Sequence, residues 1–254
     1  MAGRLTQGLK TIAKKFHRGI IYPPFNDPIS YRPLRIDNHA MQVLAGFVPF
    51  LARNSYDWCV NERILEIPFV FMNLNLPVGS KVLDFGCDAS RISMHLANMG
   101  YKVTGADLLP YAFSHPNLEF KQGNFFEQNL ISGSFDGIIA VSALEHVGLG
   151  AYGEMATPER GDVQMVQEFA RILKSKGRLI VTVPFGQRKQ VRTHRIYDRD
   201  ELMTVLSGFH IEKEVYYRCE GRKYWYVENA EILEKQPTHD GKFEAAAMIV
   251  AVKR

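Results

Sequence analysis

The chain has 254 residues, 46% of them apolar and 23% charged, a composition that suits a globular domain with an extension and excludes a disordered or fibrous protein. Three scattered cysteines, Cys59, Cys87 and Cys219, form no CxxC pair, so a disulfide framework or thiolate zinc site is not indicated and a reducing compartment, the cytoplasm, is expected. Of the net charge of +4, residues 1–26 contribute five cations and no acid, and the remaining 26 basic and 27 acidic residues leave −1, which argues against a broad nucleic-acid-binding face.

Leu5, Leu9, Ile12, Ala13, Phe16 and Ile20 recur at helical spacing among those cations. They predict a short basic amphipathic helix, either docked on its own body or lying through residues 1–20 on the inner face of an anionic membrane. Four prolines between Pro23 and Pro33 mark a linker, so residues 1–34 form one unit. Residues 35–77 read as a helical lead-in, with breaks expected near Pro49 and Pro68. No run of 18 apolar residues exists, and a membrane-spanning helix is not expected.

From residue 78 onward strands and helices alternate. Strands are predicted at 82–85, 102–106, 118–122, 135–141 and 178–183, with helices at 90–98, 163–173 and 198–206. Asp198 should cap the last of these helices. Two further strands, 210–218 and 245–252, have no convincing helix between them and should pair antiparallel. The expected architecture is α/β: a doubly wound, mostly parallel, seven-stranded sheet with an antiparallel terminal strand and a helical N-terminal extension.

In such a sheet, ligands sit beyond the carboxyl ends of the strands, where the strand order reverses. Four strand ends carry suitable groups. Asp84, Gly86 and Cys87 follow the first strand; one glycine permits the turn, but the three of a dinucleotide fingerprint are missing. A carboxylate at Asp84 would repel a pyrophosphate and suits a ligand bearing an ammonium or sulfonium group. Asp107 and Leu108 end the second strand, at about the distance from Asp84 where an acid reaches a ribose hydroxyl. Asn124 and Phe125 follow the third strand, an amide beside rings that can flank adenine. Ser142, Glu145 and His146 follow the fourth.

These motifs, VLDFGCDAS, VTGADLL, QGNFF, FDGIIAVSALEHV and LKSKGRLIVTVPFG, resemble those of class I S-adenosylmethionine-dependent methyltransferases over residues 78–254. The resemblance implies a Rossmann-like methyltransferase fold with S-adenosylmethionine as cofactor. By position, Asp84 and Gly86 surround its methionine part, Asp107 holds the ribose and Asn124 contacts adenine. Asp88 stands where most members carry glycine, and it either caps the following helix or touches cofactor. Asn124 stands where aspartate is common. A narrower resemblance, in Glu145–Gly153, Gly161-Asp162 and Thr193–Tyr197, is to a methyltransferase-like group associated with surface-polysaccharide synthesis, with departures at Ala151, Glu154 and Met155.

Methyl transfer to a hydroxyl needs a positioned acceptor and a base. His146 and His194 are the candidate bases, against readings as a helix-start and a loop residue. Glu145 is grouped with them, and Tyr152, between two glycines, is a residue able to close over substrate. A metal at Glu145, His146 and His194 is not expected, because Ser142 stands where a further acid is usual. The ring-and-cation stretch Tyr216–Tyr226 suggests stacking on nucleic acid or sugar, or a half-buried aromatic strand. The expected acceptor is a small molecule or glycan, methylated at oxygen. A non-catalytic binding or assembly module and an RNA methyltransferase are the alternatives.

Overall fold

The computed structural model describes residues 61–88, 90–150, 152, 160–220, 224–235 and 245–254. The basic helix, the linker and most of the lead-in lie outside the described residues, as do Ala151, Gly153, Glu154 and Met155.

Helix α1 (Arg63–Asn73) buries Ile67, Phe69 and Val70 and passes through Pro68 without breaking. Proline removes one helical hydrogen bond, yet the burial of three large side chains outweighs that loss. The expected break at Pro68 is therefore corrected.

Next come β1 (Lys81–Phe85), α2 (Ile92–Asn98), β2 (Lys102–Asp107), β3 (Leu118–Gln122) and β4 (Phe135–Val141). They are followed by α3 (Gly161–Ile172), β5 (Leu173–Pro184), β6 (Lys189–Gln190), β7 (Arg195–Ile196) and α4 (Arg199–Val205). The chain continues with β8 (Phe209–Glu220), β9 (Tyr224–Val227), α5 (Ala230–Glu234) and β10 (Ala245–Lys253). Asp198 caps α4, its carboxylate accepting the Glu201 N–H at 2.8 Å.

The main sheet runs β3-β2-β1-β4-β5-β10-β8-β9, with β6 and β7 forming a separate ribbon. Strands β1 to β5 pair in parallel, whereas β10 is antiparallel to both β5 and β8. The sheet thus has eight strands rather than seven. Strand β9 is the addition, turning back antiparallel on β8 with Arg218 opposite Tyr226. The short helix α5 also lies between the last two expected strands.

Period-two alternation divides the core. Leu83, Ile138, Ala140, Leu179 and Val181 face α3, α4 and α5, where Phe169, Leu202 and Leu233 meet them. Val82, Ile139, Val141 and Ile180 face the other way, onto Ile67 and Val70 of α1 and Leu96 of α2. Both faces are covered, as a parallel sheet requires. The strand order reverses between β1 and β4, so the crevice forms over their carboxyl ends. No helix among the described residues is long and apolar enough to cross a membrane.

Candidate active site

At the end of β1, Asp84 is nearly fully buried and accepts the Ser93 hydroxyl at 2.6 Å. Burial pushes its carboxyl up to about 6, against the opposing hydrogen bond from Ser93. Asp84 thus lies at the base of the turn, tied to Ser93 of α2. Above it, Gly86 adopts φ +71° and donates its N–H to the Ala106 carbonyl at 2.8 Å. A Cβ at Gly86 would collide with the Cβ of Ala143, so two loops meet at a point only glycine allows. Cys87 is buried against Gly105, and its thiol is pushed up by burial.

Asp107 organises the neighbouring loop. Its Oδ2 accepts the Asp88 N–H at 2.8 Å and its Oδ1 the Leu109 N–H at 2.9 Å. Burial raises its carboxyl, opposed by these two N–H groups and by that of Leu108. A carboxylate offers about four acceptor positions, so three backbone donors leave capacity for one more. At the start of α2 the N-cap Arg91 makes no side-chain cap bond, and the Ile92 N–H goes to the Ser90 hydroxyl at 3.1 Å. Asp88, with φ +22°, stays beside Asp107 at the mouth of the crevice. Tyr111, which carries no signal in the sequence, stacks at a tilt on Phe120 and donates its hydroxyl to the Ser90 carbonyl at 2.7 Å.

Asn124 caps a single 3-10 turn, accepting the Phe126 N–H at 3.2 Å and donating to Glu127 at 2.9 Å. Phe125 is buried edge-on against Phe85, with ring centres 5.1 Å apart, so its ring is part of the core. The exposed ring of the pair is Phe126, at 44%. Consecutive phenylalanines in a turn hide this choice from sequence patterning.

On the other side of the reversal, Ser142 leaves β4 with φ +45°, and a 3-10 turn carries Glu145 and His146. The His146 Nδ1 lies 2.6 Å from the Thr193 carbonyl. A carbonyl only accepts, so Nδ1 carries the proton, and in the neutral ring Nε2 is the basic nitrogen. Glu145 is almost fully buried, with Oε1 3.7 Å from His146 Nε2 and no hydrogen-bond partner for Oε2 among the described residues. Burial, reinforced by the nearby Glu66, pushes its carboxyl well above the usual range. The His194 ring stands 6.1 Å from that of His146, and burial holds it below the usual histidine range. Tyr152 meets His146 edge-on at 5.2 Å. Burial raises its phenol, and Glu145, Asp88 and Asp107 raise it further, so it stands within the field of both halves of the crevice.

The segments of the narrower resemblance form one scaffold. Arg195 Nη1 donates to the Val147 carbonyl at 2.8 Å and contacts that of Glu145 at 3.4 Å. Its Nε is 3.8 Å from Asp162, which is fully buried, accepts both Arg160 nitrogens and takes the Tyr197 hydroxyl at 3.0 Å. A Cβ at Gly161 would lie 2.8 Å from the Val147 carbonyl, so glycine brings α3 against the Glu145–Val147 turn. Sequence reasoning also missed Glu66 and Arg63 of α1. The signal was a lone acid in an apolar helix, three residues after an arginine. Among the described residues, no group of three or more His, Cys, Asp or Glu side chains is placed to hold a metal ion.

A family described as a Caenorhabditis protein of unknown function, DUF268, matches residues 119–241. A ubiquinone biosynthesis O-methyltransferase of Azorhizobium caulinodans is 31% identical over 132 residues, 46% of this chain and 51% of that protein. An S-adenosyl-L-methionine-dependent Diels–Alderase of Talaromyces variabilis is 26% identical over 110 residues, 41% of this chain and 36% of that protein. The chain spans about half or less of the length of these relatives. Among solved structures, a SAM-dependent methyltransferase of Methanosarcina mazei superposes with a TM-score of 0.51 at 20% identity, over 72% of this chain and 96% of that one. The chain has the class I S-adenosylmethionine-dependent methyltransferase fold.

Proposed function

We propose that this protein binds S-adenosylmethionine over the ends of β1 and β2 and catalyses O-methylation of a small-molecule or glycan acceptor, with His146 as general base. The observation that carries this reading is the His146–Thr193 hydrogen bond, which makes Nε2 the basic nitrogen on one side of the strand reversal while Asp107 gathers backbone N–H groups on the other. Relatives named as an S-adenosyl-L-methionine-dependent Diels–Alderase and as an O-methyltransferase support it.

The residues fit the cofactor. Gly86 lets the backbone approach closely, Asp107 retains one acceptor position for a hydroxyl, and Asp84, Asp88 and Asp107 make the crevice negative. A negative crevice favours a cationic ligand by charge. When bound, the cofactor supplies an electrophilic methyl group on a sulfonium. His146 Nε2 accepts the proton of the attacking hydroxyl, and the Thr193 carbonyl steadies the resulting imidazolium. His194, held neutral by burial, adds no competing charge beside it. Tyr152, half exposed, stands where it can cover the acceptor. The glycan class rests on the likeness of Glu145–Gly153 and Thr193–Tyr197 to a polysaccharide-associated group.

Calorimetric titration of S-adenosylmethionine into the full chain tests the reading. Micromolar binding is expected, weakened about 10- to 150-fold in Asp107→Ala, the loss of one hydrogen bond to a charged acceptor. His146→Ala should cut methyl transfer roughly 10²- to 10⁴-fold while leaving cofactor affinity within a few-fold. His194→Ala should also slow turnover. Absence of cofactor binding would sink the proposal. A labelled-methyl screen that marks RNA and no nucleotide sugar or lipid-linked glycan would overturn the acceptor class.

A further inference from the structure

We infer that Glu66, on the helix preceding the sheet, is a positioning residue that sets the orientation of the Glu145–His146 turn. Glu66 is fully buried, yet it reaches the ends of two strands more than 70 residues away in sequence. Its Oε1 accepts the Ser142 hydroxyl at 2.7 Å and the Thr182 hydroxyl at 2.6 Å. Its Oε2 accepts Arg63 Nη1 at 2.9 Å, and the same nitrogen donates to the Val141 carbonyl at 3.1 Å. All these contacts converge where β4 ends and the chain turns toward Glu145.

Ser142 is the pivot of that turn. A serine at φ +45° occupies a region that side chains disfavour, so the surroundings must over-determine it. Its hydroxyl is held by Glu66, and its N–H lies 3.0 Å from both the Thr182 carbonyl and the Thr182 hydroxyl. With the pivot fixed, Glu145 sits buried and His146 meets Thr193. A core helix has no need of an acid here: a leucine would fill the space at lower desolvation cost. A buried acid with every oxygen engaged at one strained turn is an orienting device.

This inference rests on the catalytic reading of His146 for its kinetic consequence, but its geometric consequence is independent of that reading. The test compares wild type with Glu66→Gln in the full chain. The variant keeps the shape of the side chain, removes the charge that holds Arg63, and turns one acceptor oxygen into a donor that faces either Arg63 or two hydroxyls that must reverse to accept it. Turnover is expected to fall at least 10-fold, with the KM for S-adenosylmethionine within two-fold. The imidazole C–H resonance of His146, identified by its loss in His146→Ala, is expected to shift, while those of the distant His115 and His210 stay in place. If Glu66→Gln does not fold, Ser142→Ala removes a single one of these bonds and should shift the same resonance. An unmoved His146 resonance with turnover within two-fold overturns the inference. If wild type transfers no methyl group but the resonance still moves, the positioning role stands and the catalytic reading alone falls.

Discussion

Gly86→Ala joins two costs that the structure keeps separable. At φ +71° an alanine occupies the left-handed region, at roughly 1–2 kcal/mol. Its methyl group also collides with that of Ala143, and overpacking of this kind costs about 1–3 kcal/mol. The variant should thus lose roughly 2–5 kcal/mol, and at about 2–4 °C per kcal/mol for a chain of this size its thermal midpoint should fall by ~4–20 °C. Ala143→Gly in the same background removes the collision and leaves the backbone strain. A cycle of urea denaturations over wild type, both single variants and the double variant should give a favourable coupling of about 1–3 kcal/mol. The same proteins, titrated with S-adenosylmethionine, should show Gly86→Ala binding more weakly than the double variant. A coupling below about 0.5 kcal/mol would refute the claim that the two loops meet through this glycine, since contacting residues ordinarily couple by more.

Two further predictions concern buried carboxyls. The Asp84 carboxyl is raised in the folded state to about 6, so the folded chain holds its proton where the unfolded chain has released it. Stability relative to Asp84→Asn should therefore fall as the pH rises through roughly 4 to 6, by an amount on the order of 2–3 kcal/mol. Denaturation midpoints of the two proteins across that range check this, and a wild-type stability that rises relative to Asp84→Asn as the pH goes from about 4 to 6 would contradict it. Asp162 behaves oppositely. Burial alone would raise it, but hydrogen bonds and charge from Arg160 and Arg195 hold it below the usual range. Its contribution should persist at neutral pH and fade only as the pH falls below the ordinary aspartate range. Asp162→Asn should cost about 3–5 kcal/mol at pH 7 by leaving buried arginine charge uncompensated, read as a drop in thermal midpoint. A loss under 1 kcal/mol would show that the Arg195 scaffold does not depend on it.

The parallel half of the sheet was legible because its buried strands are short apolar runs closed by turn residues, as in Val82–Phe85 and Phe135–Val141. The groups at the strand ends could be placed for the same reason. Less legible was the direction each side chain takes. Nothing in the sequence announces that Asp84 is buried and tied to Ser93. Phe125 and Phe126 are identical in sequence yet divide between core and surface. Asp88 reads either as a helix cap or as a cofactor contact, and the sequence does not show that Ser90 also bonds the first turn of the helix. Helix α1 continues through Pro68 because tertiary burial overrides a local rule. Strand β9 is too short for a periodic signal. Long-range networks such as Asp162–Arg195 and Glu66–Ser142 leave no spacing to detect, because their partners meet only once the sheet has formed.

The place of β10 between β5 and β8 governs how the protein can be made. Ala247 pairs with Val183 on one side and with Tyr216 on the other, and residues 245–251 are all buried. Until that segment leaves the ribosome, β5 and β8 face an empty slot, and each presents unpaired backbone and apolar side chains. The nascent chain therefore carries unpaired edges from the emergence of β5 until β10 follows, the condition under which strands pair with the wrong partner. Closure joins residues far apart in sequence and is slow on topological grounds. Recovery of soluble protein should accordingly depend on translation rate and chaperone supply more than on the final stability of the fold.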